Sequence, residues 1–292
     1  MVRYKGKDSI EFGHKPYNEA SYATLPVGAE TLYRIGYVQE IAPVFDPELN
    51  RVFVLREGSD AGKPLATIQR RENVKLRLRW LQGQLGDYLQ KYILGGYNFY
   101  GEAKLYKDAS SKLYFYWTGL KVDVLSVRCS IGEPIEWSCD LIGKSVDTKA
   151  TTVHSLGASP GTVWEWDDSY LQISTNGVDW ATLPDVTDWE YRIDNRLKPN
   201  FVFNSSGSKQ LATLEEMEQL VDARLTMNFP SDTYLSYLLD DTEVYLKLVL
   251  PNSMYLQISK GKMSLVDPLL KPEDLIACRV EVMGGYLEHN FT

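Results

Sequence analysis

Three histidines, His14, His154 and His289, and three cysteines, Cys129, Cys139 and Cys278, are the residues of this 292-residue chain best suited to hold a metal or act as nucleophiles. Their spacing argues against both roles. No histidine has a second ligand at the short intervals a zinc site uses, and no cysteine belongs to a CxxC pair. Cys139 and Cys278 lie in alternating apolar runs, where a free thiol behaves as a small hydrophobe. The acid pairs Asp167-Asp168 and Asp240-Asp241 offer oxygens to a hard cation. No third and fourth ligand follows at the intervals of a calcium loop, so solvated turns are the better reading. There is no glycine-rich phosphate loop and no GxSxG. The 7 Trp and 19 Tyr suggest a sugar-binding surface, but most occupy alternating strand positions, where aromatic rings pack. No catalytic, cofactor-binding or metal-binding residue is therefore assigned, no cofactor is expected, and an enzyme is the least supported class.

The bulk composition agrees. Hydrophobic residues are 44% and charged residues 24% of the chain, a globular balance. The net charge is −8, with no cluster of Lys and Arg that would grip nucleic acid. The odd number of cysteines fits a reducing compartment of synthesis. No stretch has the length to cross a bilayer, and residues 1–8 lack the apolar core of a signal peptide. Neither a membrane nor a secretory route is expected.

What must position these side chains is a chain that repeats itself. Tyr22-Ala23-Thr24-Leu25-Pro26, followed by Tyr33-Arg34-Ile35, is echoed by Trp180-Ala181-Thr182-Leu183-Pro184, followed at the same spacing by Tyr191-Arg192-Ile193. Lys63-Pro64-Leu65-Ala66-Thr67-Ile68 is echoed by Lys209-Gln210-Leu211-Ala212-Thr213-Leu214. Weaker echoes follow: Val74 to Trp80 against Leu220 to Met227, and Ile135, Trp137, Cys139, Leu141 and Gly143 against Ile276, Cys278, Val280, Val282 and Gly284. The expected division is an N-terminal arm over 1–17, a first copy over 18–145, a linker over 146–167 and a second copy over 168–292.

Each copy reads as strands around one short helix. Val74, Leu76, Leu78 and Trp80 alternate with Lys75, Arg77 and Arg79, which predicts a strand with one buried and one cationic face. Asp87 and Ser231 are candidate caps of two helices, the second with Tyr234, Leu235, Leu238 and Leu239 on its apolar face. Asn176-Gly177 predicts a tight hairpin turn between Tyr170–Ser174 and Trp180. Alternation with one polar face fits antiparallel strands. The fold class expected is mainly β (α+β): two tandem domains, each an antiparallel sheet or sandwich with one short helix.

The second copy resembles phage tail tube proteins. Gln172-Ile173-Ser174-Thr175-Asn176-Gly177-Val178-Asp179-Trp180 is similar to their opening strand and turn, and Val186-Thr187-Asp188-Trp189-Glu190-Tyr191-Arg192-Ile193-Asp194-Asn195 to their long strand entering an Asn-containing hairpin. The closing alternation before Gly284-Gly285 is also similar. The likeness covers about residues 170–288 and reaches the first copy only through the repeat. It implies a virion structural protein whose rings stack into a hollow tube that conducts the genome into the host cell. The ring's inner wall would be a closed β-barrel, six domains supplying four strands each. With two copies per chain, three chains would close a pseudo-sixfold ring; a true hexamer is the rival. Tape measure protein and DNA would pass through the lumen, other tail proteins would meet the tube ends, and assembly would take place in the host cytoplasm. An acidic lumen is expected from the net charge. A trimeric tail-tip hub and a carbohydrate-binding β-protein are the alternatives.

Overall fold

The computed structural model describes residues 10–17, 22–26, 30–44, 49–53, 64–69, 74–84, 89–94, 96–106, 112–149, 154–203, 209–228, 233–269 and 277–291. The first half runs β1 (Ile10–Tyr17), β2 (Thr31–Arg34), β3 (Tyr37–Val44), β4 (Leu49–Phe53), β5 (Pro64–Gln69), β6 (Val74–Leu81), α1 (Leu89–Ile93), β7 (Asn98–Tyr106), β8 (Lys112–Ser130), β9 (Glu136–Gly143) and β10 (Ser145–Lys149). After the two-residue β11 (Ser155–Leu156), the second half runs β12 (Tyr170–Ser174), β13 (Ala181–Thr182), β14 (Val186–Asp194), β15 (Lys198–Phe203), β16 (Lys209–Glu215), β17 (Leu220–Asn228), α2 (Thr233–Leu239), β18 (Glu243–Val249), β19 (Tyr255–Leu269), β20 (Ala277–Met283) and β21 (Tyr286–Asn290).

Eight of these strands form one continuous antiparallel sheet in the order β3-β6-β9-β8-β14-β17-β20-β19. Its strands alternate strictly. On β6, Leu76, Leu78 and Trp80 point inward and Lys75, Arg77 and Arg79 outward; on β17, Val221, Ala223, Leu225 and Met227 point inward and Asp222, Arg224 and Thr226 outward. This is what a period of two requires of a sheet covered on one face. A second layer covers the inner face. In the first half it is β2-β1-β7, the opening of β8 and β10; in the second it is β13-β12-β18, the opening of β19 and β21.

β8 and β19 are long because each serves both layers. Residues 112–120 of β8 pair with β7 and residues 121–128 with β9; residues 255–262 of β19 pair with β18 and residues 262–269 with β20. The bend between layers is a single positive φ, +62° at Gly119 and 58° at Lys260. A Cβ at 119 would also meet the Tyr22 ring at 3.0 Å, so glycine is required there on both counts. Beyond each bend the ladders match pair for pair. Lys121↔Ile142 and Val122↔Leu141 precede a bulge, then come Val124↔Asp140 and Leu125↔Cys139. Lys262↔Met283 and Met263↔Val282 precede the same bulge, then come Leu265↔Glu281 and Val266↔Val280.

The two echoes fare differently. The hairpins β4–β5 and β15–β16 carry the second echo in step: Ile68 pairs with Asn50 as Leu214 pairs with Pro199. The first echo is out of step. Ala181 and Thr182 pair with β12 where Tyr33 and Arg34 pair with β1, so the strand that answers Ala181-Thr182 lies ten residues beyond Ala23-Thr24. Tyr22 to Pro26 belong to the connection between β1 and β2.

Other expectations also shift. Residues 10–17, expected within an arm, are β1, paired along eight positions with β7; residues 1–9 lie outside the described residues. The expected linker is partly built in: β10 pairs with β8, β11 runs parallel to β2, Trp164 is fully buried, and Val163 and Glu165 bridge to Gly83 and Pro134. The Asn176 loop is wider than a two-residue turn. Only Gly177 has positive φ (72°), and the Asn176 carboxamide oxygen accepts from the amides of Val178 and Asp179 at 2.9 Å each. On α2, Tyr234 is buried and Tyr237 and Leu238 are half-buried against the core, while Leu235 and Leu239 face outward. The caps Asp87 and Ser231, and Ile276, lie outside the described residues.

One core runs through both halves. Trp80 and Trp137 stack at 6.3 Å between ring centroids, and Phe291, from the far end of the chain, meets Trp137 edge-on at 6.1 Å.

Candidate functional site

The structure scatters the residues weighed above for chemistry and gives each a packing or turn role. His14 is fully buried among the rings of Tyr33 and Phe99, and burial lowers its pKa to about 3. His154 is buried in the connector, its Nδ1 2.9 Å from Glu102 Oε2, while its carbonyl accepts from Lys104 Nζ at 3.1 Å. Tyr100 donates to the same carboxylate at 3.2 Å, and burial together with that carboxylate raises its pKa. This buried cluster holds the connector onto β7, where each charge is hydrogen-bonded as burial demands. His289 lies on β21, its pKa lowered by burial. Asp168 receives the Glu165 amide in a 3-10 turn, and Asp241 pairs with Lys262. No cluster of three metal-ligating side chains occurs among the described residues.

Two measurements follow. Above about pH 3 the folded protein holds His14 neutral, whereas the unfolded chain titrates near 6.5. The folded pKa is the lower one, so His14's contribution is complete above pH 6.5. It is lost as pH falls toward 3, at up to about 1.4 kcal/mol per pH unit. The melting temperature should therefore fall between pH 6.5 and 4, and His14→Phe should flatten that fall; an unchanged slope would assign it to other groups. The three thiols are buried, with pKa values raised by burial, Cys129 to about 12 and Cys139 well above the ordinary range. The native protein at pH 8 should resist a thiol reagent at all three positions, and denaturant should release three thiols. Rapid labelling of the native protein would contradict the buried placement.

The surface left for function is the outer face of the eight-stranded sheet and its two ends. That face is a lattice of paired charges. Arg77 donates to Asp140 at 2.7 Å, Arg128 to Glu136 at 2.9 Å, and Arg224 lies 3.2 Å from Glu281. Arg79 stands 3.7 Å from both Glu40 and Glu136. Arg192, Asp188, Glu190, Asp194, Asp222 and Arg279 share the face. Cross-strand pairs of this kind contribute little individually in water, about 0–1 kcal/mol. Their collective effect is a surface on which the named acids outnumber the named cations, eight to six, and most of the cations are paired.

The seam in the middle of the sheet is β14 against β8, seven residue pairs from Asp188↔Ser130 to Asp194↔Val124. Its ends are fastened by Ile131 N–H to Thr187 O (2.9 Å) and Asn195 N–H to Asp123 O (2.8 Å). Asn195, almost buried, also donates its carboxamide to Val122 O at 2.9 Å. Above the seam, the β15–β16 hairpin lies over the first half. Leu197, Leu211 and Leu214 cluster with Ile142, and Lys121 donates to Leu214 O at 3.1 Å and stands 3.6 Å from Glu216.

Sequence reasoning missed this seam. Its signal was present only as alternation, which gives a strand its face but not its neighbour.

No curated protein sequence matches the chain. Among solved structures, a chain of the virion of a native gene transfer agent particle matches at TM-score 0.36 and 9% identity, covering 44% of this chain and 98% of that one. A chain of the tail of an empty particle of the same kind matches at the same TM-score, identity and coverage. A family model described as phage tail tube protein matches residues 82–281, from the end of β6 to β20 and across the seam. With more than half of its length matched, this chain belongs to the phage tail tube protein family.

Proposed function

We propose that this chain is the repeating subunit of a viral tail tube, that its two halves are copies of one tube domain, and that three chains close a ring of pseudo-sixfold symmetry. The observation that carries the reading is the continuous eight-stranded sheet, with one face covered, the other charged, and a strand available at each end. Its halves supply four strands each. Three chains then supply a wall of about 24 strands, which at roughly 4.8 Å per strand gives a circumference of about 115 Å and a backbone diameter near 37 Å. That is wide enough for duplex DNA after side chains narrow it. An even number of alternating strands lets the antiparallel order continue across each chain boundary, and closure removes the sheet edges that otherwise template aggregation.

In this reading the charged face lines the lumen, because the opposite face is covered by the second layer. A face of paired charges presents phosphate with few uncommitted cations, which keeps passing DNA mobile. Tape measure protein and DNA occupy the lumen in turn, other tail proteins close the tube ends, and the subunits assemble in the host cytoplasm before taking their place in the virion tail. Since residues 10–17 are a strand of the second layer, removing residues 1–16 would test folding rather than ring stacking.

Negative-stain electron microscopy of concentrated protein tests the proposal. Hollow tubes or stacked rings with a central hole are expected, threefold when averaged without imposed symmetry. Six chains per ring would overturn the trimer, and single capped rings that never stack would favour a tail-tip hub.

A further inference from the structure

The two halves match in ladder register but differ sharply in exposure at one place. Lys121 and Ile142 face each other just before the bulge between β8 and β9; Lys262 and Met283 face each other at the same point between β19 and β20. In the first half both are buried, the Lys121 side chain 4% and Ile142 8% exposed, because the β15–β16 hairpin lies on them. In the second half the Lys262 side chain is 47% and Met283 50% exposed. The hairpin that answers β15–β16 is β4–β5, which comes between β3 and β6 in the chain, the two strands at the opposite end of the eight-stranded order. It cannot reach Met283 within one chain while the sheet stays open.

The strand edges tell the same story independently. Residues 124–128 of β8 pair with β9 on one side and β14 on the other. Among the described residues, the matching part of β19 pairs only with β20, and β3, which answers β14, pairs only with β6. These edges carry Pro43 and Pro268, at the positions that answer Tyr191 and Val127 of the seam. Proline is tolerated in sheets chiefly where its missing N–H faces no partner in the same chain.

We propose that Lys262 and Met283, with the adjoining edge Asp267–Leu269 of β19, form the seat for a second copy of this chain, filled by that copy's β3 edge and β4–β5 hairpin in the register of the internal seam. This rests on the ring reading and gives it an address. Transferring the seam's register sets Ala42 opposite Leu269, Pro43 opposite Pro268 and Val44 opposite Asp267. The last pair answers Arg192↔Ser126. The hydrogen bonds at Ile131–Thr187 and Asn195–Asp123 make that a non-hydrogen-bonded pair, with Cα atoms about 4.5 Å apart, a separation a disulfide can span. The two opposed prolines remove two backbone bonds. The chain-to-chain seam is thus weaker than the internal one, and the hairpin seated on Met283 supplies what the edge alone lacks.

The test is a cysteine pair in the full chain. Val44→Cys/Asp267→Cys, oxidised after assembly, should give covalent dimers and trimers on a denaturing gel and nothing larger. Val44→Cys/Lys262→Cys, five residues out of register, should give none; the native thiols are buried and supply the background. Met283→Asp should abolish both tubes and cross-links while the monomer keeps its circular dichroism and a cooperative melt. Tubes that form normally with Met283→Asp, or that cross-link only out of register, would overturn the seat and leave the ring reading standing. Cross-linked trimers without long tubes would support the seat and count against stacking alone. A chain that forms no assembly at any concentration, wild-type or double-cysteine, and gives no cross-link in the Val44→Cys/Asp267→Cys variant, would overturn both.

Discussion

Trp137→Ala should lower the stability of the whole chain by about 3–5 kcal/mol and shift a single melting transition by roughly 10 °C. The indole is fully buried, stacked on Trp80, and touched edge-on by Phe291 from the second half. Truncation would leave a cavity that rigid neighbouring strands cannot collapse. The stronger claim concerns cooperativity. One sheet and one apolar cluster run through both halves, and the seam is seven residue pairs long, so the halves should not melt separately. Tyr191→Ala, in the second half and also fully buried, should therefore lower the same transition. Arg128→Ala, on the exposed face, should move it by no more than about 1 kcal/mol. Scanning calorimetry decides the matter: two resolved transitions, each sensitive to mutations in only one half, would show independent domains.

What the sequence disclosed follows from what alternation encodes. Leu76, Leu78 and Trp80, or Cys278, Val280 and Val282, mark a buried face because inward positions repeat every second residue, and the structure buries all six. The echo of Lys63 to Ile68 was legible because a hairpin is local, its pairing set by nearby residues. The partner of a strand is not encoded this way. β14 pairs with β8 some sixty residues earlier, and nothing in Trp189-Glu190-Tyr191 names Cys129-Arg128-Val127. The echo of Tyr22 to Pro26 shows the converse risk, since nearly identical residues at identical spacing, Tyr22 alone being exchanged for Trp180, fall in different elements. The connector misled for a related reason. Its Ser, Thr and Gly read as a flexible link, whereas buried His154 and Trp164 anchor it. The paired charges of the outer face were half legible. Lys75, Arg77 and Arg79 announced cations, but the acids opposite them, Asp140 and Glu136, belong to a strand whose adjacency the sequence does not state.

In the tube proposed above, with the charged face lining the lumen, neutralising the acids of that face should turn a smooth conduit into a retentive one. In the triple variant Glu136→Gln, Asp140→Gln, Glu281→Gln, the side chains that now pair with Arg77, Arg128 and Arg224 lose their charge, and Arg79 loses one of its two acidic neighbours. Each pair is partly exposed, so its loss should cost little stability, within about 1 kcal/mol, and the monomer should melt close to wild type. The consequence for DNA is much larger, because the change repeats in every chain of every ring. Each uncommitted guanidinium can neutralise a phosphate and release a counterion, and binding then falls with salt at a slope of about −0.9 per contact. Short duplex DNA should co-sediment with variant tubes at 50 mM salt, tens of times more than with wild-type tubes, and be released near 300 mM. The location of the effect matters as much as its size. DNA held by variant tubes should resist nuclease, as material inside a lumen does. Retained DNA that stays fully nuclease-sensitive would place the charged face on the outside of the tube and reverse the assignment of wall and exterior.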